Sequence, residues 1–259
     1  MDIVDYNRKA WNRYSEQQSN NWVRAVGAEE IEKAKNGMVE ISLTAAKTVP
    51  SFWFPELNGC RILCLASGGG QQAPILAAAG ADVTAFDNSD KQLESDKKTC
   101  EAYGLQVKTV QGDMRDLSAF VDESFDLIFH PVSNLFVDKI ENVWKESARV
   151  LRSGGLLLAG FSNPVVYMFD ALKCEKGILE VKHSIPYSPF SESAKEESAR
   201  FIKDGDALEY GHSLEEQIGG QLDAGFAIVA MYEDHNRAGD EMALDEYMPV
   251  YIATKAVKL

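Results

Sequence analysis

The chain has 259 residues, and its 26 Lys and Arg against 40 Asp and Glu give a net charge of −14 with neutral His. This length suits one large domain or a domain with a cap, and 45% hydrophobic with 25% charged residues excludes a disordered or fibrous chain. So acidic a chain offers no large basic face to a phosphate backbone, which favours a small-molecule partner over a nucleic acid.

The sequence carries no pattern typical of a membrane segment, a secretion signal or a metal site. Its longest apolar runs, such as 154–161, are far shorter than the roughly 18 residues of a membrane helix, and its first residues lack the features of a secretion signal. The four cysteines form no CxxC pair and no zinc spacing, so we interpret them as buried thiols: Cys60, Cys64, Cys100 and Cys174. We expect a cytoplasmic protein that holds no metal and does not contact a membrane.

Residues 1–50 are predicted to form an N-terminal helical cap, and residues 51–259 the main domain. Trp11, Tyr14 and Trp22 lie among charged and amide residues of the cap at helical spacing. Such aromatics usually dock a helix onto a sheet, and the alternative is a lid that closes over a ligand and excludes water.

From about residue 56 to residue 160, short apolar runs alternate with helical patterns. The predicted strands are Arg61–Ala66, Asp82–Phe86, Val107–Gln111, Phe125–Phe129 and Leu156–Ala159. The predicted helices are Gln71–Ala79, a helix opened by a capping box at Ser89 and running to about Tyr103, and Ile140–Leu151. This alternation predicts an α/β fold with right-handed crossovers and a parallel sheet.

The last hundred residues depart from that rhythm. Residues of about 161–210 are irregular and Pro-interrupted, with His183 expected to be exposed and the acidic run 192–197 expected to be a solvated face. A helix at about Leu214–Ala224 precedes two apolar runs, Phe226–Tyr232 and Val250–Lys255. Their loop is too short for a crossover helix, so we predict an antiparallel pair at one edge of a mixed sheet.

The first predicted strand runs into a glycine-rich turn, Ala66-Ser67-Gly68-Gly69-Gly70-Gln71-Gln72. Glycines let the backbone approach a ligand closely, and the helix that follows presents unpaired N–H groups to an anionic group. The spacing also satisfies a loose dinucleotide-binding fingerprint. A tight turn without any ligand is the alternative.

Acidic residues follow the next two predicted strands. Asp87 can accept hydrogen bonds from both hydroxyls of a ribose, although it could also cap the following helix. Asp113, with the backbone N–H of Met114, suits the edge of an adenine ring, and its alternative is an exposed turn aspartate.

A glycine turn, a ribose acid and an adenine acid on three strand tips resemble class I S-adenosylmethionine-dependent methyltransferases, in particular the bacterial small-molecule branch labelled ubiquinone/menaquinone C-methylase-like. The resemblance covers about residues 56–257. It implies a Rossmann-like seven-stranded sheet with its last pair antiparallel, helices on both faces, and S-adenosylmethionine as cofactor. The sequence departs from the family at Ala66, where an Asp or Glu usually stands, and Gln71 or Gln72 could replace it.

The resemblance also implies which residues bind the cofactor: Ala66, Gly68, Gly70, Gln72, Asp87, Asn88, Asp113, Met114 and His130. His130 follows the fourth strand and is the candidate general base, with capping or packing as alternatives. The family places a substrate-recognising insertion at about 161–210, where this chain has four aromatic residues: Tyr167, Phe169, Tyr187 and Phe190.

The predicted reaction is an in-line displacement that moves a methyl group from S-adenosylmethionine to an unidentified small-molecule acceptor, leaving S-adenosylhomocysteine. Two alternatives remain: a nicotinamide-dependent oxidoreductase and a non-catalytic S-adenosylmethionine-binding module. RNA methylation is disfavoured by the charge. The sequence leaves open whether the protein is a monomer or a homodimer.

Overall fold

A computed structural model describes residues 1–259 and contains one seven-stranded sheet with strand order β3-β2-β1-β4-β5-β7-β6. The strands are β1 (Arg61–Leu65), β2 (Asp82–Asp87), β3 (Lys108–Gln111), β4 (Phe125–His130), β5 (Leu151–Ser162), β6 (Phe226–Asp234) and β7 (Tyr251–Lys258). Strands β1–β5 pair in parallel, whereas β7 pairs antiparallel with both β5 and β6. The predicted Rossmann-like mixed sheet is confirmed.

Eight α-helices accompany the sheet, with several short stretches of 3₁₀ helix and one π-helical segment, Glu215–Gly219, directly before α8. They are α1 (Ile3–Gln17), α2 (Ala28–Lys35), α3 (Gln72–Ala78), α4 (Asp90–Ala102), α5 (Glu141–Val150), α6 (Ala171–Cys174), α7 (Lys195–Asp204) and α8 (Gly220–Asp223). None of them combines the length and the apolar character that crossing a membrane requires.

Alternating side chains of the central strands feed two apolar clusters on opposite faces of the sheet. On β1, Ile62 and Cys64 join the cluster that also contains residues of α2, α3 and α4. Leu63 and Leu65 join the other cluster, which α5 covers with the fully buried Trp144. Both faces of the central parallel strands β1 and β4 are therefore buried, which explains their continuous apolar runs.

The residues predicted to end α3 and to begin α4 have these roles in the structure. Gly80 follows α3 with φ +94°, a backbone conformation that glycine adopts without steric cost. The Ser89 hydroxyl accepts a hydrogen bond from the Gln92 N–H at 3.1 Å and caps α4. The return arm of the capping box is missing, because the Ser89 N–H donates to the Asp87 carboxylate instead.

The region after β5 differs from the sequence prediction. Helix α7 lies where no helix was predicted, and within the acidic run Glu197 is fully buried. Our expectation that His183 is exposed was wrong: its imidazole is buried and bonds Glu197 and the Ser193 hydroxyl. Contacts between segments far apart in the sequence decide this burial, so local composition did not predict it.

The cap has two parts with different roles. Helix α2 belongs to the core, since Ile31 and Ala34 are fully buried against the α3 face of the sheet. Helix α1 crosses the carboxyl ends of the strands and bonds the segment 204–208, where the Asn7 side chain pairs with both backbone groups of Leu208. The boundary drawn at residue 50 remains a prediction.

Candidate functional site

A cavity of about 830 Å³, part of it open to solvent, lies at the carboxyl ends of β1, β2, β3 and β4. In open α/β sheets this edge forms a crevice where the strand order reverses, here between β1 and β4. The floor consists of the four strand tips. The roof comes from α1 and the 3₁₀ turn Asn21–Val23, both in the N-terminal cap.

The glycine turn takes a backbone conformation that residues with side chains rarely adopt. Ala66, Gly69 and Gly70 all have positive φ, at +47°, +128° and +80°. A Cβ added at Gly68 would lie 2.6 Å from the Cβ of Gln92, so a larger residue cannot be accommodated there. Among the three glycines, Gly68 lines the cavity and presents backbone there without a side chain.

Asp87 lies at the tip of β2 and lines the cavity. Its carboxylate accepts the Gly68 N–H at 3.0 Å and the Ser89 N–H at 2.8 Å, one on each oxygen. A carboxylate has about four lone-pair sites, so two remain for ligand hydroxyls. Burial raises the pKa of Asp87, and the backbone N–H groups oppose that rise. The Asp87 carboxylate therefore contacts both the glycine turn and Ser89, the N-cap residue of α4, and it also lines the cavity.

Asp113 and Met114 also line the cavity at the tip of β3, but the carboxylate of Asp113 is already engaged. The Arg115 guanidinium bonds both of its oxygens, with Nη2 2.7 Å from Oδ2 and Nε 3.1 Å from Oδ1, and its Nη1 contacts Asp138 at 2.6 Å. No pattern in the sequence predicted this contact. Because Arg115 holds both oxygens, an adenine amine would share the carboxylate rather than claim it.

His130 is not a general base candidate in this structure, and that prediction is corrected. The residue is fully buried and does not line the cavity. Nδ1 lies 2.9 Å from the Leu65 carbonyl and Nε2 lies 2.8 Å from Oδ1 of Asn134, so both ring nitrogens are bound. Burial lowers the pKa of His130. The packing alternative accounts for the side chain.

Seven of the nine predicted cofactor-binding residues line the cavity, whereas Gly70 and His130 do not. The seven are Ala66, Gly68, Gln72, Asp87, Asn88, Asp113 and Met114. Gln71 also lines it, yet its amide donates to the carbonyls of Asn21 and Arg24 and so ties the turn to the cap.

The cap, rather than the insertion, closes the cavity. Trp11 and Trp22 line it, which favours the lid alternative for these two residues. Tyr14 instead bonds Asp206 in the segment after α7. No residue of the insertion at about 161–210 lines the cavity, so the expectation that its aromatic residues recognise substrate is not supported: Tyr167, Phe169, Tyr187 and Phe190.

Two cavity residues that the sequence analysis missed carry buried polar atoms without partners. They are the hydroxyl of Ser67 and Oε1 of Gln92, and both residues are less than a tenth exposed. Buried polar groups ordinarily find a hydrogen-bond partner, so an unpaired pair beside the glycine turn fits a site that receives a polar ligand. No group of three or more His, Cys, Asp or Glu side chains is arranged to hold a metal ion.

Comparison with known proteins decides the family. Residues 63–159 match the methyltransferase domain family. The chain is 51% identical over 257 residues to YbaJ of Bacillus subtilis, named an uncharacterized methyltransferase, covering 99% of both chains. The chain belongs to the class I S-adenosylmethionine-dependent methyltransferases.

Two further relatives of this methyltransferase are more distant. A demethylmenaquinone methyltransferase of Clavibacter sepedonicus is 38% identical over 109 residues, which cover 42% of this chain and 44% of that protein. The crystal structure of an S-adenosylmethionine dependent methyltransferase from Mesorhizobium loti superimposes with a TM-score of 0.58 at 16% identity, covering 80% of this chain and 94% of that one. The structural likeness supports the fold.

Proposed function

We propose that this methyltransferase transfers the methyl group of S-adenosylmethionine to a small-molecule acceptor by in-line displacement. The observation that carries the proposal is the single cavity that brings together the glycine turn, Asp87 and the β3 tip under two tryptophans. S-adenosylmethionine supplies an electrophilic methyl group on a sulfonium, and the attacking lone pair belongs to the acceptor.

The residues of the cavity suit three parts of the cofactor. The free lone pairs of Asp87 accept the ribose hydroxyls, and the buried Met114 gives the adenine an apolar wall. The methionine part follows the glycine turn, where Ser67 and Gln92 offer unpaired polar atoms to it. The carboxylate that the family places before the turn is absent at Ala66. The Ser67 hydroxyl and the Gln92 amide oxygen replace part of its contact with the methionine part of the cofactor.

The cavity offers an acceptor no evident base. Its ionisable lining side chains are Arg8, Asp87 and Asp113, and the two carboxylates are bound by backbone N–H groups and by Arg115. We infer that the acceptor brings its own lone pair, either ionised before it enters or already nucleophilic. The chain then contributes position and exclusion of water, which can supply much of the rate of a displacement.

Calorimetric titration with S-adenosylmethionine, S-adenosylhomocysteine and NAD tests the proposal. We expect micromolar binding of the first two and none of NAD. Asp87→Ala should weaken that binding about a hundredfold, because it removes the ribose acceptor and releases the Gly68 N–H.

Asp82→Ala is the matched control, since Asp82 lies exposed at the opposite end of the same strand. Its affinity should equal that of the unmodified protein. Binding of NAD alone, or equal affinity in the Asp87 variant, would refute the proposed site.

A further inference from the structure

The buried face of α4 carries polar side chains where an amphipathic helix ordinarily places apolar ones. Gln92, Asp96 and Thr99 follow one another at spacings of four and three residues, and each is less than a tenth exposed. These spacings put the three on one side of the helix, and that side faces the glycine turn 68–70. Burying polar groups costs free energy unless they find hydrogen-bond partners. The row formed by Gln92, Asp96 and Thr99, here called the polar stripe, therefore needs partners within the fold.

The polar stripe contacts the backbone of the turn directly. Oδ1 of Asp96 accepts the Gly70 N–H at 2.7 Å, and the Ser95 hydroxyl donates to the Gly69 carbonyl at 3.1 Å. A Cβ added at Gly70 would lie 2.8 Å from Oγ1 of Thr99 and 2.9 Å from Oγ of Ser95. The backbone of the turn therefore packs directly on the short polar side chains of α4.

Burying a carboxyl group to make this contact costs free energy. Asp96 is fully buried, and its second oxygen has no hydrogen-bond partner. Burial raises the pKa of Asp96 well above its usual value, and the charge of Asp87 adds to the rise. What the acid provides is a short hydrogen bond to the Gly70 N–H.

We propose that Asp96 is a positioning residue for the cofactor, holding the Gly70 amide from beneath the turn so that the turn keeps its ligand-binding shape. Family members usually have an acid before the turn, whereas this chain has Ala66 there and a buried acid behind it. The inference rests on the proposed function, because the turn has a ligand to receive only if the cavity binds S-adenosylmethionine.

The test compares four proteins by calorimetric titration with S-adenosylhomocysteine and by thermal unfolding. Asp96→Ala removes the acceptor for Gly70 and should raise the Kd about tenfold. Asp96→Asn keeps an oxygen that can accept from Gly70, so its Kd should stay within about threefold of the unmodified protein. Cys100→Ala is the control, because it truncates a buried side chain of the same helix that forms no hydrogen bond with the Gly70 N–H, which Asp96 holds.

Both alanine variants should lower the unfolding midpoint, but only Asp96→Ala should weaken binding. Should Asp96→Ala not fold, Asp96→Val fills the space without an acceptor and should show the same weakening. Unchanged affinity in the Ala or Val variant, or equal weakening in Cys100→Ala, would overturn the positioning role. An unmodified protein that does not bind S-adenosylhomocysteine would instead refute the proposed function itself.

Discussion

At the scale of single residues, the contacts of His130 indicate a structural role and no chemical one. Its ring lies edge-on to Trp144 with centroids 5.9 Å apart, on the side of the sheet covered by α5. Asn134 continues the contact by donating to Gln217 at 2.9 Å. The imidazole thus links the ends of β1 and β4, through Asn134, to the helical segment Glu215–Gly219 before α8.

We expect His130→Ala to lose stability and keep cofactor affinity. The substitution leaves a cavity and an unpaired Leu65 carbonyl, which should lower the free energy of unfolding by about 2–4 kcal/mol. The Kd for S-adenosylhomocysteine should stay within about twofold. Denaturant unfolding and calorimetry measure the two quantities, with the exposed His235 changed to Ala as the control.

The same variant has a pH signature. Because burial lowers the pKa of His130 in the folded state, the unfolded chain binds the proton more readily as the pH falls below about 6.5. The unmodified protein should lose this part of its stability on acidification, so the gap between it and His130→Ala should narrow from pH 8 to pH 5.5. A tenfold loss of affinity with unchanged stability would show that the ring faces the ligand.

Several residues of the candidate site could be predicted because their signals are local. Asp87 ends an apolar run just before a helix cap, so its position follows from a few neighbours in the sequence. Asp96 and Arg115 were missed, since each acts through a contact that only the folded chain creates. One available signal was the spacing of Gln92, Asp96 and Thr99, which places polar groups on a helix face expected to be buried.

At the scale of elements, helix α1 forms the roof of the cavity and is joined to the rest of the fold by buried hydrogen bonds. The Asn7 amide is 3% exposed and donates to the carbonyls of Phe136 and Leu208, while its oxygen accepts the Leu208 N–H. A second tie is the Asn88 amide, which donates to the carbonyl of Val4. The roof thus rests on β2, on the turn after β4 and on the segment after α7.

Asn7→Ala should loosen the roof and leave the sheet intact. Three buried backbone groups lose their partner, which should cost about 2–3 kcal/mol locally. Hydrogen exchange should quicken over residues 3–17 and stay unchanged in β1 and β4, and binding of S-adenosylhomocysteine should weaken severalfold. Lys9→Ala, on an exposed position of the same helix, is the control. Uniform loss of protection across the sheet would contradict a separate roof.

The elements themselves were predictable to different degrees. The strands β1, β2 and β4 came out within a residue of the apolar runs, because buried parallel strands have that composition. The region after β5 did not follow its composition. There Glu197 accepts the Ala171 N–H, 26 positions away in the sequence, and this tertiary contact buries a residue that local polarity places in solvent.

At the scale of the whole molecule, the family fixes the order of the strands and leaves the acceptor undefined. The sequence pattern alone predicted a parallel sheet with a mixed edge, and the full seven-stranded arrangement came from the resemblance. Acceptor choice depends on the parts that differ most within such a fold. Here the cap, through α1 and the turn 21–23, closes the cavity, so specificity should be sought in the first 23 residues.

The overall charge of the molecule argues against a nucleic acid as that acceptor. With 40 acidic against 26 basic side chains, the molecule repels a polyanion at long range, and binding to nucleic acid depends on releasing counterions from phosphates. In fluorescence anisotropy with labelled bulk tRNA at about 150 mM salt, we expect no binding up to tens of micromolar protein. A basic RNA-binding protein of similar mass serves as the positive control. Saturable binding that weakens steeply with added salt would show a basic surface that this charge balance hides, and the acceptor would then have to be sought among RNAs.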